Sequence, residues 1–162
     1  MTAQNLVDLQ ELDVSRNDIS DIPENIKGLT SLQVADFSSN PISELPAGFV
    51  LLKNLSVLSL NDMSLTLLPD DFGLLENLTS LELRENLIKD LPESVARLKR
   101  LERLDLGDNE IDELPPHIGA VSSLEGKHGI ILHELIQLKT LLFAKCKSIF
   151  SIHVEMMLNS NI

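Results

Sequence analysis

One short segment returns at a fixed step along most of this chain. The step is 23 residues, and an aliphatic residue opens each of five successive copies: Leu9, Leu32, Leu55, Leu78 and Leu101. Repetition with a period of about 20 to 50 residues is the signature of a solenoid, in which each copy packs only on its neighbours. The sequence therefore predicts a stack of similar layers.

The most complete copy is Leu78–Pro92, which reads LTSLELRENLIKDLP. It fills every position of L-x-x-L-x-L-x-x-N-x-L-x-x-L-P and resembles a leucine-rich repeat. Leu81 and Leu83 alternate with polar neighbours, as in a strand with one buried face. A proline that fixes φ closes the pattern in each copy, at Pro23, Pro46, Pro69, Pro92 and Pro115. We predict an α/β leucine-rich repeat solenoid of five 23-residue repeats, with short parallel strands on its concave side and loops or 3₁₀ turns on its convex side.

A column of asparagines accompanies the leucines, at Asn17, Asn40, Asn86 and Asn109. An inward Asn side chain can hydrogen-bond the backbone of the turn that leaves each strand. Leaving such a buried backbone group unpaired costs about 1–3 kcal/mol. The third copy has Met63 at this position, and the residues alone give no reason for it. We therefore predict a ladder of hydrogen bonds that is broken in the third layer.

The repeats stop at Leu124, and we expect residues 1–124 to form a repeat domain that is incomplete at both ends, since neither a polar capping helix nor a sixth copy is found. Residues 125–162 form a divergent tail with apolar spacing suited to an amphipathic helix. Three interpretations stay open: a capping helix, a surface-seeking segment, or sequence foreign to the natural domain, such as intron read-through. The third is favoured because Gly126-Lys127 is what a splice-donor consensus encodes in one frame.

Acidic residues are concentrated in the repeats. Residues 1–124 hold 22 acidic and 9 basic side chains, whereas residues 125–162 hold 3 and 4. An acidic solenoid repels a phosphate backbone, so we predict a basic protein segment as partner and no nucleic acid. The tail has no 18-residue apolar run, so we predict no membrane span and leave peripheral association open. A single cysteine, Cys146, and the absence of a signal-like N-terminus favour a reducing, intracellular setting.

Side chains that flank the inward leucines are expected on the concave face. The central column of this face is Asp13, Asp36, Ser59, Glu82 and Asp105, with Glu11, Arg84 and Arg103 at its margins. Parallel strands lie about 4.7–4.9 Å apart, and two unit charges about 4 Å apart repel by about 1 kcal/mol even in water. We interpret these eight residues as a binding surface for a basic or hydroxyl-rich peptide. The alternative is a solvated acidic face that keeps the solenoid soluble.

No catalytic, metal or cofactor site is predicted. The four histidines, His117, His128, His133 and His153, lie in the last convex turn or in the tail. His128 and His133 lack the i, i+4 spacing of a helical metal site. The stacked carboxylates lie on an open face with nothing to exclude water or shift a pKa. We therefore predict that the chain is not an enzyme.

The order of the repeat variants resembles one family. The five copies follow one another without an insertion, and their strand regions read, in order, ELDVSRNDI, ADFSSNPI, LSLNDMSL, LELRENLIKDLPES and RLDLGDNEI. Over about residues 6–124 this run resembles the repeats of the Scribble-type scaffolds of the LAP family, and looks most like an arthropod form; that family also lacks Asn where Met63 stands. The resemblance implies a cortical scaffold at the basolateral membrane and junctions, acting in apicobasal polarity and growth control. It also implies membrane targeting and partners such as Lethal giant larvae.

Two other functions stay open. A Shoc2-like adaptor of Ras signalling shares the 23-residue step, and a non-functional truncated fragment would have no saturable partner. The PDZ domains of the LAP family are absent from this sequence, so by resemblance this chain supplies one arm of a scaffold.

Overall fold

Five short strands lie side by side in one parallel sheet of the computed structural model, which describes residues 6–111 and Pro115. The strands are β1 (Glu11–Asp13), β2 (Val34–Asp36), β3 (Val57–Ser59), β4 (Ser80–Glu82) and β5 (Arg103–Asp105). Their spatial order is β1-β2-β3-β4-β5, the same as their order in the chain. Each copy of the repeat therefore contributes one strand and packs beside the copies that precede and follow it.

Four 3₁₀ segments form the convex side: Glu24–Gly28, Ala47–Leu51, Phe72–Leu74 and Glu93–Arg97. The recurring proline directly precedes three of them, and in all four layers its carbonyl accepts a hydrogen bond from the residue three positions later. The N–H of Ile26, for example, donates to the Pro23 carbonyl oxygen at 2.9 Å. The predicted solenoid, with short parallel strands and a 3₁₀ convex side, is confirmed. The domain boundary at residue 124 and the tail 125–162 lie outside the described residues.

An aliphatic core runs through the layers between the sheet and the 3₁₀ segments. The leucines that open the second to fifth copies have no exposed surface: Leu32, Leu55, Leu78 and Leu101. Leu81 on β4 and Leu83 just after it are also fully buried. Phe37 and Phe49 meet edge to face, with ring centroids 5.9 Å apart. Full burial of a leucine side chain contributes about 1.5–3 kcal/mol, so the stacking of such columns stabilises the solenoid.

The predicted asparagine ladder is confirmed. Asn86 Nδ2 donates to the carbonyl of Leu83 in its own turn at 2.9 Å and to that of Leu60 in the preceding layer at 2.7 Å. Its Oδ1 accepts the N–H of Leu65 at 3.1 Å. Asn40 and Asn109 make equivalent bonds. Each of these side chains closes its own turn and ties it to the layer before.

Met63 interrupts this ladder without leaving a backbone donor unpaired. In the other layers the backbone N–H two residues after the Asn position donates to the Asn side chain of the following layer, as the Ile88 N–H does to Asn109 Oδ1. Ile42 has no such acceptor, and its N–H donates instead to the Asn40 carbonyl at 2.8 Å. Pro41 lies between them, and its fixed φ suits the central position of an inverse γ-turn. The buried Met63 side chain then fills the apolar space.

Candidate protein-interaction face

The concave face of the sheet, opposite the aliphatic core, carries three columns of side chains, and Asp105 is the one predicted site residue that is buried there. The central column is in direct register from strand to strand: Asp13, Asp36, Ser59, Glu82 and Asp105. A first column, two residues earlier, contains Glu11, Val34, Val57, Ser80 and Arg103. A third column follows at the same spacing with Ser15, Ser38, Asn61, Arg84 and Gly107. The eight residues predicted for binding therefore lie on one face, because alternate residues of a strand point the same way.

Glu82 is the most strongly engaged carboxylate of this face. Arg103 Nη1 forms an ion pair with it, and Asn61 Nδ2 donates to it at 2.8 Å. The Ser59 hydroxyl lies 3.5 Å away, also as a donor. Arg103 Nη2 is 3.7 Å from Asp105 Oδ2, so one guanidinium lies between the two carboxylates. The expected repulsion between Glu82 and Asp105 is thus relieved by a residue that the repeat pattern placed only at the margin.

Arg84 forms its ion pairs with residues outside the central column. It forms an ion pair with Asp108, and its Nε lies 3.2 Å from Glu85 Oε1. The pKa of Arg84 is raised above its ordinary value, first by the hydrogen bond to Glu85 and next by the charge of Asp108. Its guanidinium therefore stays charged and balances acidic residues of the turns that follow β4 and β5.

Asp13 and Asp36 hydrogen-bond within their own turns. Asp13 accepts from the Ser15 hydroxyl at 2.7 Å and from the Ser15 N–H at 2.9 Å. These two bonds are the main causes of a lowered Asp13 pKa, to which the charge of Arg16 adds, while partial desolvation opposes it. Asp36 accepts from the Ser38 N–H at 2.8 Å. Such Asx-turn bonds orient a carboxylate and leave its charge in place.

The acidic residues of β1 and β2 are not in ion pairs. Within residues 6–111, no Lys or Arg nitrogen forms a salt bridge with Glu11, Asp13 or Asp36. Turn formation accounts for part of the aspartate column, as the same bond from the Gly107 N–H to Asp105 shows at 3.1 Å. The negative charge over β1 and β2 nevertheless remains available to a ligand.

Seven of the fifteen residues in these columns were not among the predicted site residues, and three of the seven shape the face most: Val34, Val57 and Asn61. Val34 and Val57 are half-buried register neighbours in the first column. Asn61 holds Glu82 and also accepts the Arg84 N–H at 2.9 Å. The 23-residue step could have identified all three, since it places the valines in line with Glu11 and Arg103. A prediction based on charged side chains omits them because they are uncharged.

Neither a metal-binding cluster nor a membrane-spanning helix occurs among the residues that the structure describes. No group of three or more His, Cys, Asp or Glu side chains there could hold a metal ion. No helix there is long and apolar enough to cross a membrane. The four histidines and Cys146 lie outside this part of the chain.

An open parallel sheet backed by 3₁₀ turns, with one polar face left uncovered, defines a repeat solenoid that presents a surface to other proteins. A model of the leucine-rich repeat region matches residues 2–83, and a model of two leucine-rich repeat copies matches residues 76–119. The chain belongs to the leucine-rich repeat family. Domains of this family generally mediate protein–protein interaction and are typically non-enzymatic.

Solved structures with the same fold come from distant organisms. A leucine-rich repeat protein of Leptospira interrogans is 32% identical with a TM-score of 0.71, covering 74% of this chain and 31% of its own. A second is the ectodomain of the Arabidopsis thaliana receptor kinase GASSHO1/SCHENGEN3, solved in complex with CASPARIAN STRIP INTEGRITY FACTOR 2. It is 30% identical with a TM-score of 0.68, and the match covers 80% of this chain and 16% of the ectodomain chain. Internalin C2 of Listeria monocytogenes is 25% identical with a TM-score of 0.66, and the match covers 80% of this chain and 54% of the internalin chain.

This chain thus spans less than two thirds of each of those three proteins. A comparison with curated proteins gave no significant match.

Proposed function

We propose that this chain is a protein-interaction module whose concave face binds a basic segment of a partner protein. The observation that carries the proposal is the set of three carboxylates over β1 and β2, Glu11, Asp13 and Asp36, which form no salt bridge within the described residues. An exposed negative patch speeds the encounter with a positive partner and selects against negative ones. The family's general role in protein–protein interaction supports the same function.

We further propose that the complete protein is a Scribble-like cortical scaffold of apicobasal cell polarity. The support is the ordered run of repeat variants, including Met63 in the third copy. Under this proposal the module works in the cytoplasm at the basolateral cortex and cell junctions, associates with the membrane peripherally, and takes part in polarity signalling. Its partner is then a basic segment such as that of Lethal giant larvae.

The test is a binding titration of the chain against the basic segment of Lethal giant larvae, at low and high salt. Asp13→Lys/Asp36→Lys should weaken binding at least about tenfold, which is about 1.4 kcal/mol. The matched control is Asp70→Lys/Asp71→Lys, an exposed pair beside the Phe72–Leu74 segment with the same change of charge. Saturable, salt-sensitive binding that only the first variant loses would support the proposal.

Other outcomes of this titration reject the proposal or part of it. A folded chain that binds no partner saturably would leave the carboxylates as a solvated face. Binding to a Ras or phosphatase complex in place of a polarity protein would favour the Shoc2-like adaptor. Equal loss in the control variant would show that binding follows total charge and not the concave face.

A further inference from the structure

The concave face is divided into parts of different charge. We call Glu11, Asp13 and Asp36, over β1 and β2, the acidic part. Asp13 is exposed and Asp36 half-buried, and both are oriented by bonds from their own turns. Within residues 6–111 the acidic part has no salt bridge, so it presents a net negative charge to any ligand.

The opposite end of the face is the balanced part, which consists of Glu82, Arg84, Arg103 and Asp105 over β4 and β5. The formal charges of these four residues sum to zero, and Arg84 pairs with acidic residues of the following turns and not with Glu82 or Asp105. Arg103 pairs with both carboxylates, and Arg84 pairs with Asp108 in the following turn. A basic ligand side chain placed here would have to displace an existing ion pair, whereas over the acidic part it meets carboxylates that form no salt bridge within residues 6–111.

An apolar pair lies between the two charged parts. Val34 and Val57 are register neighbours on β2 and β3, and both are half-buried on the open side of the sheet. We call them the valine pair. Along the same face Val57 is followed by Ser59 on β3 and by Asn61 in the turn after it, and both are uncharged. A ligand side chain over the valine pair therefore meets an aliphatic surface, and an aliphatic residue is the group that it accommodates best.

Distances on the sheet make these parts separate recognition sites. Neighbouring strands lie about 4.7–4.9 Å apart, so the midpoints of the acidic and balanced parts are about 14 Å apart. That exceeds the screening length of about 8 Å at physiological ionic strength. Asp36 and Val34, by contrast, are alternate residues of one strand, about 7 Å apart. An extended ligand spans that distance with two of its own residues.

We propose, on the basis of the function assigned above to this face, that the bound segment has one register. The segment is extended and contains a Lys or Arg two residues from an aliphatic residue. The basic side chain lies over the acidic part, and the aliphatic side chain packs on the valine pair. The balanced part takes no net charge from the ligand. The face thus recognises a basic-x-aliphatic motif, and a cluster of positive charge alone binds more weakly.

The probes that test this register are two blocked Gly/Ser peptides of identical composition. One peptide carries Arg and Leu two residues apart, and its isomer carries the same two residues at opposite ends of the peptide. Calorimetric titration of the full chain should show at least about fivefold tighter binding of the first peptide, equivalent to about 1 kcal/mol. Val34→Ser/Val57→Ser should remove this preference while leaving the salt dependence of binding in place, because the carboxylates are unchanged.

A second pair of variants locates the basic side chain. Asp13→Asn/Asp36→Asn removes two charges and keeps an oxygen that accepts the turn hydrogen bonds. Glu82→Gln/Asp105→Asn makes the same change of charge in the balanced part. The first variant should weaken binding of the Arg-x-Leu peptide about tenfold or more, and the second by less than about threefold.

The following results would overturn the proposed register of the bound segment. Equal affinity for the two isomers, or equal losses in the two carboxylate variants, would overturn it while the proposed function stands. Self-association of the chain that Val34→Ser/Val57→Ser abolishes would assign the valine pair to a second copy. If neither these peptides nor the Lethal giant larvae segment binds a folded chain, the register and the proposed function fail together.

Discussion

The first and fourth layers carry the same repeat pattern but are stabilised to different degrees. Leu12 on β1 is only partly buried, whereas Leu81 at the same position on β4 has no exposed surface. Asn17 is exposed, and among the described residues it donates only to carbonyls of its own turn. Asn86 bonds its own turn and the layer before it. A repeat residue therefore gains its stabilising effect largely from the layers on either side of it.

The largest expected effect of this difference is in the leucines. Leu81→Ala should reduce the free energy of unfolding by about 2–5 kcal/mol, because it leaves a cavity between filled layers. Leu12→Ala should cost less than half as much, because its side chain already contacts solvent. Urea denaturation with unchanged m-values measures both losses. Losses within about 1 kcal/mol of each other would show that burial does not distinguish the layers.

The asparagines should differ by a smaller amount. Asn86→Ala leaves the N–H of Leu65 and the carbonyls of Leu83 and Leu60 without this partner, at a cost of about 1–3 kcal/mol. Asn17→Ala loses bonds at an exposed site, where water replaces them, and should cost under about 1 kcal/mol. Amide exchange of Leu65 is the specific measurement. It should quicken in the first variant and remain unchanged in the second.

The smallest effect concerns the charge of the first layer. Ser15→Ala removes the hydroxyl bond that lowers the Asp13 pKa, so that pKa should rise toward its ordinary value, although the residue 15 N–H still donates. Because the folded pKa lies below that of the unfolded chain, Asp13 stabilises the fold above about pH 3.9, and this contribution is lost as the pH falls through the folded pKa. Ser15→Ala should therefore lessen it.

A carbon-13 NMR titration of the Asp13 carboxyl group measures this change. Ser20→Ala is the control, since Ser20 is exposed and makes no hydrogen bond to Asp13. An Asp13 pKa that does not move in Ser15→Ala would show that the backbone N–H and Arg16 account for the shift between them.

The strand register was predictable from the sequence because the copies follow one another without insertion. Adding one repeat to Asp13 gives Asp36, and the two residues are register partners in the sheet. The ion pairs of the face were not predictable in this way. Arg103 pairs with Glu82 in the neighbouring layer and with Asp105 in its own. Which carboxylate a long side chain reaches depends on its rotamer, and the spacing of a repeat does not specify rotamers.

Met63 shows a second limit of the repeat pattern. The exchange for Asn was evident in the sequence, but the compensation lies in the preceding repeat, where the Ile42 N–H bonds the Asn40 carbonyl across Pro41. Seeing it requires the backbone conformation of the turn. A substitution in one layer can therefore be accommodated by residues about one repeat away, where a comparison of equivalent positions would not look.

The sequential order of the five strands also bears on folding kinetics. Ladder hydrogen bonds such as Thr79 N–H to Ser56 O join positions one repeat apart. Forming a layer contact therefore requires the closure of a loop of about one repeat, and the entropic barrier is about the same for each step. Any adjacent pair of layers can serve as a nucleus, and folding then spreads outward by one layer at a time. Because Leu12 on β1 is only partly buried and Leu58 on β3 has no exposed surface, amide exchange should slow from β1 toward β3.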